Sequence, residues 1–365
     1  MIVRVLLDAT LAFLVGAAFR VGTLGVFARA NGESVPGLLG QWDAQYYLAI
    51  AEYGYVAAPI ATDVPVEQRT LAFFPGFPLL VRAVHDLSGL DYPAAAALVN
   101  VVAGVAMTAG AMMLARRLGA DRWGRLGAGI LVSAAPMSIT FSMPYSEALF
   151  GALAFWALVA LLDARWAWAA GLILLLGTTR LTAVALILVF ALAVVLRARR
   201  DVRAWVCLAL TPWSLLAYVA WASWHTREVG GYFGIQAQGW NSGVDGGVAT
   251  ARWVWEVLTT GSEGGYLLTV AVMLGAVVGL AAAWGRLPWE VWCFAALLMA
   301  TVLLSDGIMH SRPRLLLPTV VVLLPWVLRG AVALPRWGRV LAAAAWVLFG
   351  AWYSAYMLAV FPWAI

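Results

Sequence analysis

The chain has 365 residues, of which 64% are apolar and 11% charged, against about 45–50% and about 25% in an ordinary globular protein. That excludes a soluble domain, because so few charges cannot coat a water-facing surface. The formal net charge of +5 comes from arginines scattered between apolar stretches and not from one aromatic-interleaved patch, which argues against nucleic acid as a partner.

Apolar runs predict about eleven transmembrane helices, near 5–27, 93–115, 126–142, 146–162, 166–178, 181–196, 204–222, 266–284, 289–305, 314–329 and 338–360. The first carries Asp8 and Arg20 and no small-residue cleavage site, so it reads as a retained helix and not a signal peptide. With the apolar stretch 71–88 left at the outer interface, Arg4, Arg116, Arg117, Arg122, Arg125, Arg165, Arg197, Arg199, Arg200, Arg203, Arg286, Arg329, Arg336 and Arg339 fall on one side. By the positive-inside rule that side is the cytoplasm, which puts the N-terminus inside and the C-terminus outside. Two long connections, about 28–92 and 223–265, then lie outside with most acidic residues: Asp43, Glu52, Asp63, Glu67, Glu147, Asp245 and Asp306 among them. Loops this long and this rich in aromatics and Gly suit function better than disorder. No internal repeat is visible, and residues 1–365 read as one membrane domain.

In the first outer loop, Trp42, Tyr46, Ala49 and Tyr53 recur at three and four residues, one aromatic face of a helix too short to span. Asp43 opens that helix, either capping free backbone N–H groups or projecting as a general base. Pro75 and Pro78 interrupt the aromatic run Leu71 to Leu80, so the segment either turns back within the membrane or packs as a bent interfacial helix. Ser142-Met143-Pro144-Tyr145-Ser146-Glu147 opens the fourth span. Glu147 there is an ordinary helix-start carboxylate, or with Tyr145 it holds substrate hydroxyls.

Gly177-Thr178-Thr179-Arg180 breaks two apolar segments, the first only about 20 Å long at 1.5 Å per residue. Arg180 either snorkels to the interface or lies in a protein-lined cavity facing an anion, for which the guanidinium fork is suited. His225, Gln236, Gln238 and Trp240 lie in the second outer loop, whose polar and aromatic groups suit sugar contacts. His310, Arg312 and Arg314 precede the tenth span on the outer side, against the charge trend. They either pair with Asp306 or Glu263 or bind a lipid phosphate. Cys207 and Cys293 lie far apart in apolar segments, and with three histidines and no DxD-like pair no metal ligand set is evident. All 23 basic residues are Arg and none is Lys, a codon signature of a GC-rich, prokaryotic genome.

At these residues the chain resembles the GPI second-mannosyltransferase family, the PIG-V type of the GT-C glycosyltransferases. The matching elements are Trp42-Asp43, Tyr47-Leu48, Ile50 to Tyr55, Phe73-Phe74-Pro75, Phe77-Pro78, Tyr145-Ser146-Glu147, Thr179-Arg180, Gln238-Gly239-Trp240 and Pro313-Arg314. The family usually has His before the Trp-Asp pair, where this chain has Gln41. The resemblance implies a GT-C-like fold with juxtamembrane helices in the first outer loop and an outward cavity. It also implies a polyprenyl-phosphate-linked sugar donor, most simply mannose; the leaving group is then an already anionic phosphate that arginines can stabilise, so no cofactor or metal is expected.

A prokaryotic host makes no GPI anchor, so the acceptor would be a hydroxyl on another lipid, a glycan or a protein. Under this reading Asp43 is the catalytic base of an inverting transfer. Arg180, Arg312, Arg314 and His310 hold the donor phosphate, and Trp42, Tyr46, Tyr145, Glu147, Gln238 and Trp240 contact sugar or acceptor. The rival is a membrane transporter or lipid flippase with an outward anionic-ligand cavity.

Overall fold

The computed structural model describes residues 2–260 and 263–365. Its described residues form α-helices and short 3-10 turns, with one isolated β-bridge between Val244 and Ser305 and no strand. The helices used below are α1 (Ile2–Ala30), α2 (Asp43–Tyr53), α3 (Gly76–Ser88), α4 (Tyr92–Arg117), α5 (Arg122–Ser133) and α6 (Glu147–Leu162). They continue as α7 (Trp166–Leu176), α8 (Val184–Arg197), α9 (Val202–Leu210), α10 (Trp213–His225), α11 (Gly231–Trp240) and α12 (Val248–Thr259). The last four are α13 (Gly264–Ala282), α14 (Trp289–Leu303), α15 (Leu324–Ala333) and α16 (Arg336–Ala359).

Among the described residues, five helical stretches are long and apolar enough to cross a bilayer unaided: α1, α4, α9 with α10, α13 and α16. Four shorter apolar helices fall at α6, α7, the stretch ending in α8, and α14. The predicted tenth span is broken, with Met309–Leu315 and Leu317–Ala333 meeting at 62° and the second piece beginning as a 3-10 stretch, Leu317–Leu323. Each predicted span thus has a helical counterpart, but 126–142 is shorter than expected. The helix stops at Ser133 because Pro136 lacks an N–H and bars a helical residue before it. The chain then runs through Met137 at φ 67° and a 3-10 turn, Ser138–Phe141, before α6 begins.

Local chemistry sets several boundaries. The Asp91 carboxylate accepts from the Ala94 N–H at 2.8 Å and opens α4, and Asp121 does the same for α5 through Gly124. On the side predicted to be cytoplasmic, Arg117 binds Asp163 through two nitrogens, tying the end of α4 to the end of α6. Arg197 meets Glu290 at 2.6 Å and ties α8 to α14.

The connection from α1 to α4 carries four short helices, Val35–Leu39, α2, Glu67–Thr70 and α3, in place of a further span. Segment 76–88 is one unbroken helix and does not turn back, because Pro75 sits at its N-cap and Pro78 in its first turn, where no N–H is needed. It buries Phe77 and Val81 against Tyr47, Ile50 and Ala51 of α2 and Ala95, Ala96 and Val99 of α4, and leaves Leu79, Leu80 and Leu87 exposed. The Gly76 N–H donates to the Thr178 carbonyl at 2.7 Å. Any Cβ at Gly76 would collide with Thr178, so this glycine lets the connection from α1 to α4 dock on the break before Arg180. On α2 the buried stripe is Ala44, Tyr47, Ile50 and Ala51, one residue along from the predicted aromatic face. Trp42 and Tyr53 remain exposed.

Candidate active site

Four elements meet where α2 begins. Trp42 occupies φ 59°, ψ −127°, a conformation unusual for any residue but glycine, and reverses the chain so that Asp43 starts the helix. No side chain caps this helix start, so the Asp43 carboxylate is free to turn outward. Its Oδ2 lies 2.6 Å from Nη1 of Arg314, which comes from the short helix Arg312–Leu315 at the bend of the broken span. The same nitrogen is 3.7 Å from Oε1 of Glu147, the first residue of α6, and Nη1 of Arg180 is 2.9 Å from that oxygen. Two carboxylates and two guanidiniums therefore form one neutral cluster.

The cluster runs from core to rim. The Glu147 side chain is 1% exposed and Arg314 10%, whereas Asp43 and Arg180 are each 17% exposed. Among its buried atoms, Glu147 Oε1 and Arg314 Nη1 are held by ion pairs alone, while Glu147 Oε2 and Arg314 Nε have no hydrogen-bond partner. Buried charged groups left like this are costly, and here they keep unused donor and acceptor capacity beside a partly open rim. The Arg314 guanidinium also lies 5.1 Å from the Tyr145 ring centre. The Tyr145 hydroxyl accepts from the Asp43 backbone N–H at 3.2 Å. Tyr47 and Ser146 hydroxyls meet at 3.0 Å, a second link between α2 and the segment before α6.

An aromatic wall stands beside the cluster. Tyr46 stacks on Phe73 with ring centres 4.9 Å apart, and Trp240 packs edge-on against Phe73 at 5.5 Å and Tyr46 at 6.3 Å. Burial pushes the Tyr46 hydroxyl above its ordinary pKa, with Arg69 opposing and Asp43 assisting, so it stays neutral and able to donate at physiological pH.

Of the residues singled out from sequence, the structure brings together Asp43, Tyr145, Glu147, Arg180 and Arg314, with Tyr46 and Trp240 alongside. Others stand apart. Arg312 is buried and donates to the Thr250 hydroxyl and to the Ser305 carbonyl. His310 sits in an aromatic niche, 5.8 Å from Tyr266 and 5.4 Å from Phe361. Gln238 is exposed and donates to the Val229 carbonyl at 3.4 Å, while Gln236 reaches the Ala72 carbonyl instead.

Sequence reasoning assigned no role to Tyr47, Ser146 or Asn100, which donates to the Met143 carbonyl two residues before Tyr145. Their signal was available: a lone Asn inside an apolar span marks a place where polarity is needed. Among the described residues no three His, Cys, Asp or Glu side chains converge as metal ligands.

No protein-family model matches the chain. It is 33% identical over 158 residues to GPI alpha-1,6-mannosyltransferase 2 of Cricetulus griseus, covering 40% of this chain and 30% of that protein. The same protein of Mus musculus is 34% identical over 162 residues, with the same coverage of each chain. The match thus spans about a third of the length of these curated relatives. In three dimensions the chain superposes on the crystal structure of ArnT from Cupriavidus metallidurans bound to undecaprenyl phosphate. The TM-score is 0.51 at 16% identity, over 95% of this chain and 75% of that one. The resemblance read from the motifs is borne out to this extent: over the matched stretch the chain is similar in sequence to GPI alpha-1,6-mannosyltransferase 2, and over nearly its whole length it shares the fold of ArnT.

Proposed function

We propose that the protein is a membrane mannosyltransferase that moves mannose from a polyprenyl-phosphate donor to an acceptor hydroxyl, with inversion, on the extracytoplasmic side. The observation that carries this reading is the cluster of Asp43, Glu147, Arg180 and Arg314, in which two arginines stand beside a partly exposed carboxylate at an uncapped helix start. The likeness to mannosyltransferases and to a fold neighbour solved with undecaprenyl phosphate supports the donor class. Neither comparison favours the transporter or flippase.

Asp43 accepts the proton of the acceptor hydroxyl as that oxygen forms its bond to the anomeric carbon. The bond from that carbon to the phosphate oxygen breaks, and the lipid phosphate departs with the electron pair. Arg180 and Arg314 stabilise the charge that develops on it, the kind of preorganised electrostatic help that dominates many transfers. Because Arg314 holds Asp43 at rest, its turn toward the phosphate also frees a carboxylate oxygen for the proton. Trp42, Gln238 and Trp240 are candidates for contacts to sugar or acceptor, whereas Arg312, engaged by Thr250 and Ser305, and His310, in its aromatic niche, lie outside the cluster.

Incubating purified protein with labelled polyprenyl-phosphate mannose and lipid extract from the host tests the reading. Label should appear in a new product. Donor binding without any transfer would sink it. Sidedness is tested by cysteine labelling at position 43 in a Cys-free background, where access from the cytoplasm alone would reject the outward site.

A further inference from the structure

We infer that Arg20, a buried cation in the middle of α1, is a positioning residue that holds the segment Ser133 to Ser146 and thereby presents Tyr145 and Glu147 to the site. Arg20 is 1% exposed, and no carboxylate pairs with it among the described residues. A guanidinium in that setting is costly, by several kcal/mol as a rule. Its contacts show what offsets the cost. Nη1 donates to the Ser133 carbonyl at 2.9 Å and Nε donates to the Ser142 hydroxyl at 2.9 Å, while the Phe13 and Phe141 rings cover the cation at 4.9 and 5.8 Å.

One side chain thus grips both ends of the irregular stretch. Ser133 is the last residue of α5, where carbonyls lack helical partners and the dipole favours a cation. Ser142 begins the run that ends at Glu147. Between them the chain contains Pro136, Met137 at positive φ and one 3-10 turn; its own backbone bonds, from the N–H groups of Ser138, Thr140 and Ser142 to Ala135, Met137 and Ile139, close local turns only and give it no long-range support. Other elements supply it from outside. The Ala134 carbonyl presses into a notch at Gly350 of α16 that no Cβ would allow. The Ile139 N–H donates to the Ser354 hydroxyl, Asn100 donates to the Met143 carbonyl, and Tyr47 meets Ser146.

Arg20 is the one charged member of this set, and it acts through Ser142 on residues that touch the reacting groups. The kinetic part of the inference rests on the transferase reading. The structural part does not.

The test uses Arg20→Met, Arg20→Lys and Ser142→Ala in the full-length protein, read by hydrogen exchange and by kinetics. For Arg20→Met, exchange should rise across 134–146 while α4 and α6 keep wild-type protection, and kcat should fall at least tenfold with donor KM within threefold. Arg20→Lys, which can still reach one acceptor, should recover part of both. Ser142→Ala should move both readouts in the same direction by less, and should add nothing to Arg20→Met in the double variant. It also decides the matter if Arg20→Met fails to fold.

Unchanged exchange at 134–146, a rise of equal size throughout the molecule, or a higher donor KM at constant kcat would each overturn the inference. A wild-type protein that transfers no sugar would refute the transferase reading, and the exchange result would then decide the positioning role alone.

Discussion

Two polar regions lie on the side predicted to be external, and they are built in opposite ways. Around Asp43, charged side chains from α2, α6, the break before α8 and the bend at Arg314 meet one another across large sequence separations, and several of their buried atoms make no hydrogen bond. Around Arg312, the charges close mostly on nearby backbone. Asp245 accepts from the N–H groups of Gly247 and Ala249, Asp306 accepts from Gly307, and Arg312 donates to Ser305 and Thr250. The first region keeps capacity for a ligand, whereas the second straps the connection before α12 onto the end of α14. An arginine beside acidic residues means little until its partners are known.

The largest effect expected from this contrast is at Asp43. Asn keeps a side-chain oxygen and is about as good a helix cap as Asp, but it cannot take a proton. Turnover of Asp43→Asn should fall about 10²–10⁴-fold, the usual range for a general base, with donor binding retained. Activity within a few-fold of wild type would move the search for the base to Glu147. The second effect separates the two regions directly. Arg180→Gln should weaken donor affinity and cut turnover about 10²-fold, the lower end for loss of one preorganised donor. It also leaves Arg314 as the sole cation near Glu147, drawing it off Asp43. Arg312→Gln should loosen residues 243–250 in hydrogen exchange and change donor affinity far less. Equal loss of donor affinity in both variants would erase the distinction drawn here.

Much of the first region was legible in the sequence. Asp43, Tyr145, Glu147, Arg180 and Arg314 stand in short motifs, and each is a polar residue where apolar neighbours make polarity expensive. Their pairing was not legible, because it depends on where a broken helix bends and where α5 stops. Nothing in local periodicity says that Arg314 faces Asp43 while Arg312, two residues away, faces Thr250. Arg20 had a signal of the same kind, a charge inside a span, but its partners lie more than a hundred residues away, in a segment whose path Pro136 bends out of helix. The spans themselves were readable from apolar runs. The early stop at Ser133 was readable too, had Pro136 been weighed as a terminator.

A smaller effect tests the strap. Two backbone N–H groups hold the Asp245 carboxyl below its ordinary pKa, with Arg312 contributing in the same sense. A carboxylate whose folded pKa is depressed adds stability above its unfolded value of about 3.9 and loses it as pH falls through the lower folded value. Exchange at Gly247 and Ala249 should therefore rise only in acid, below about pH 4. Asp245→Ala should show faster exchange already at neutral pH, Asp245→Asn much less. Turnover should stay within a few-fold of wild type in both. A large loss of turnover in Asp245→Asn would mean that the second region belongs to the site.

The smallest effect concerns metal. A divalent cation at a phosphate-transfer site is ordinarily held by one or two carboxylates together with phosphate oxygens. In the first region both carboxylates already lie within ion-pair distance of guanidiniums, so a cation would have to displace Arg314 or Arg180 and sit against their charge. In the second region the oxygens of Asp245 are engaged by backbone N–H groups, and Asp306 binds Gly307. The arginines can do for the leaving phosphate what a metal does elsewhere, without proton exchange at neutral pH. Turnover should accordingly be unchanged, within assay error, after EDTA treatment and removal of the chelate. Activity that disappears with EDTA and returns with Mn²⁺ or Mg²⁺ would show that the arginine pair is not the whole of the phosphate site. It would also require Asp43 or Glu147 to leave its guanidinium partner when the donor binds.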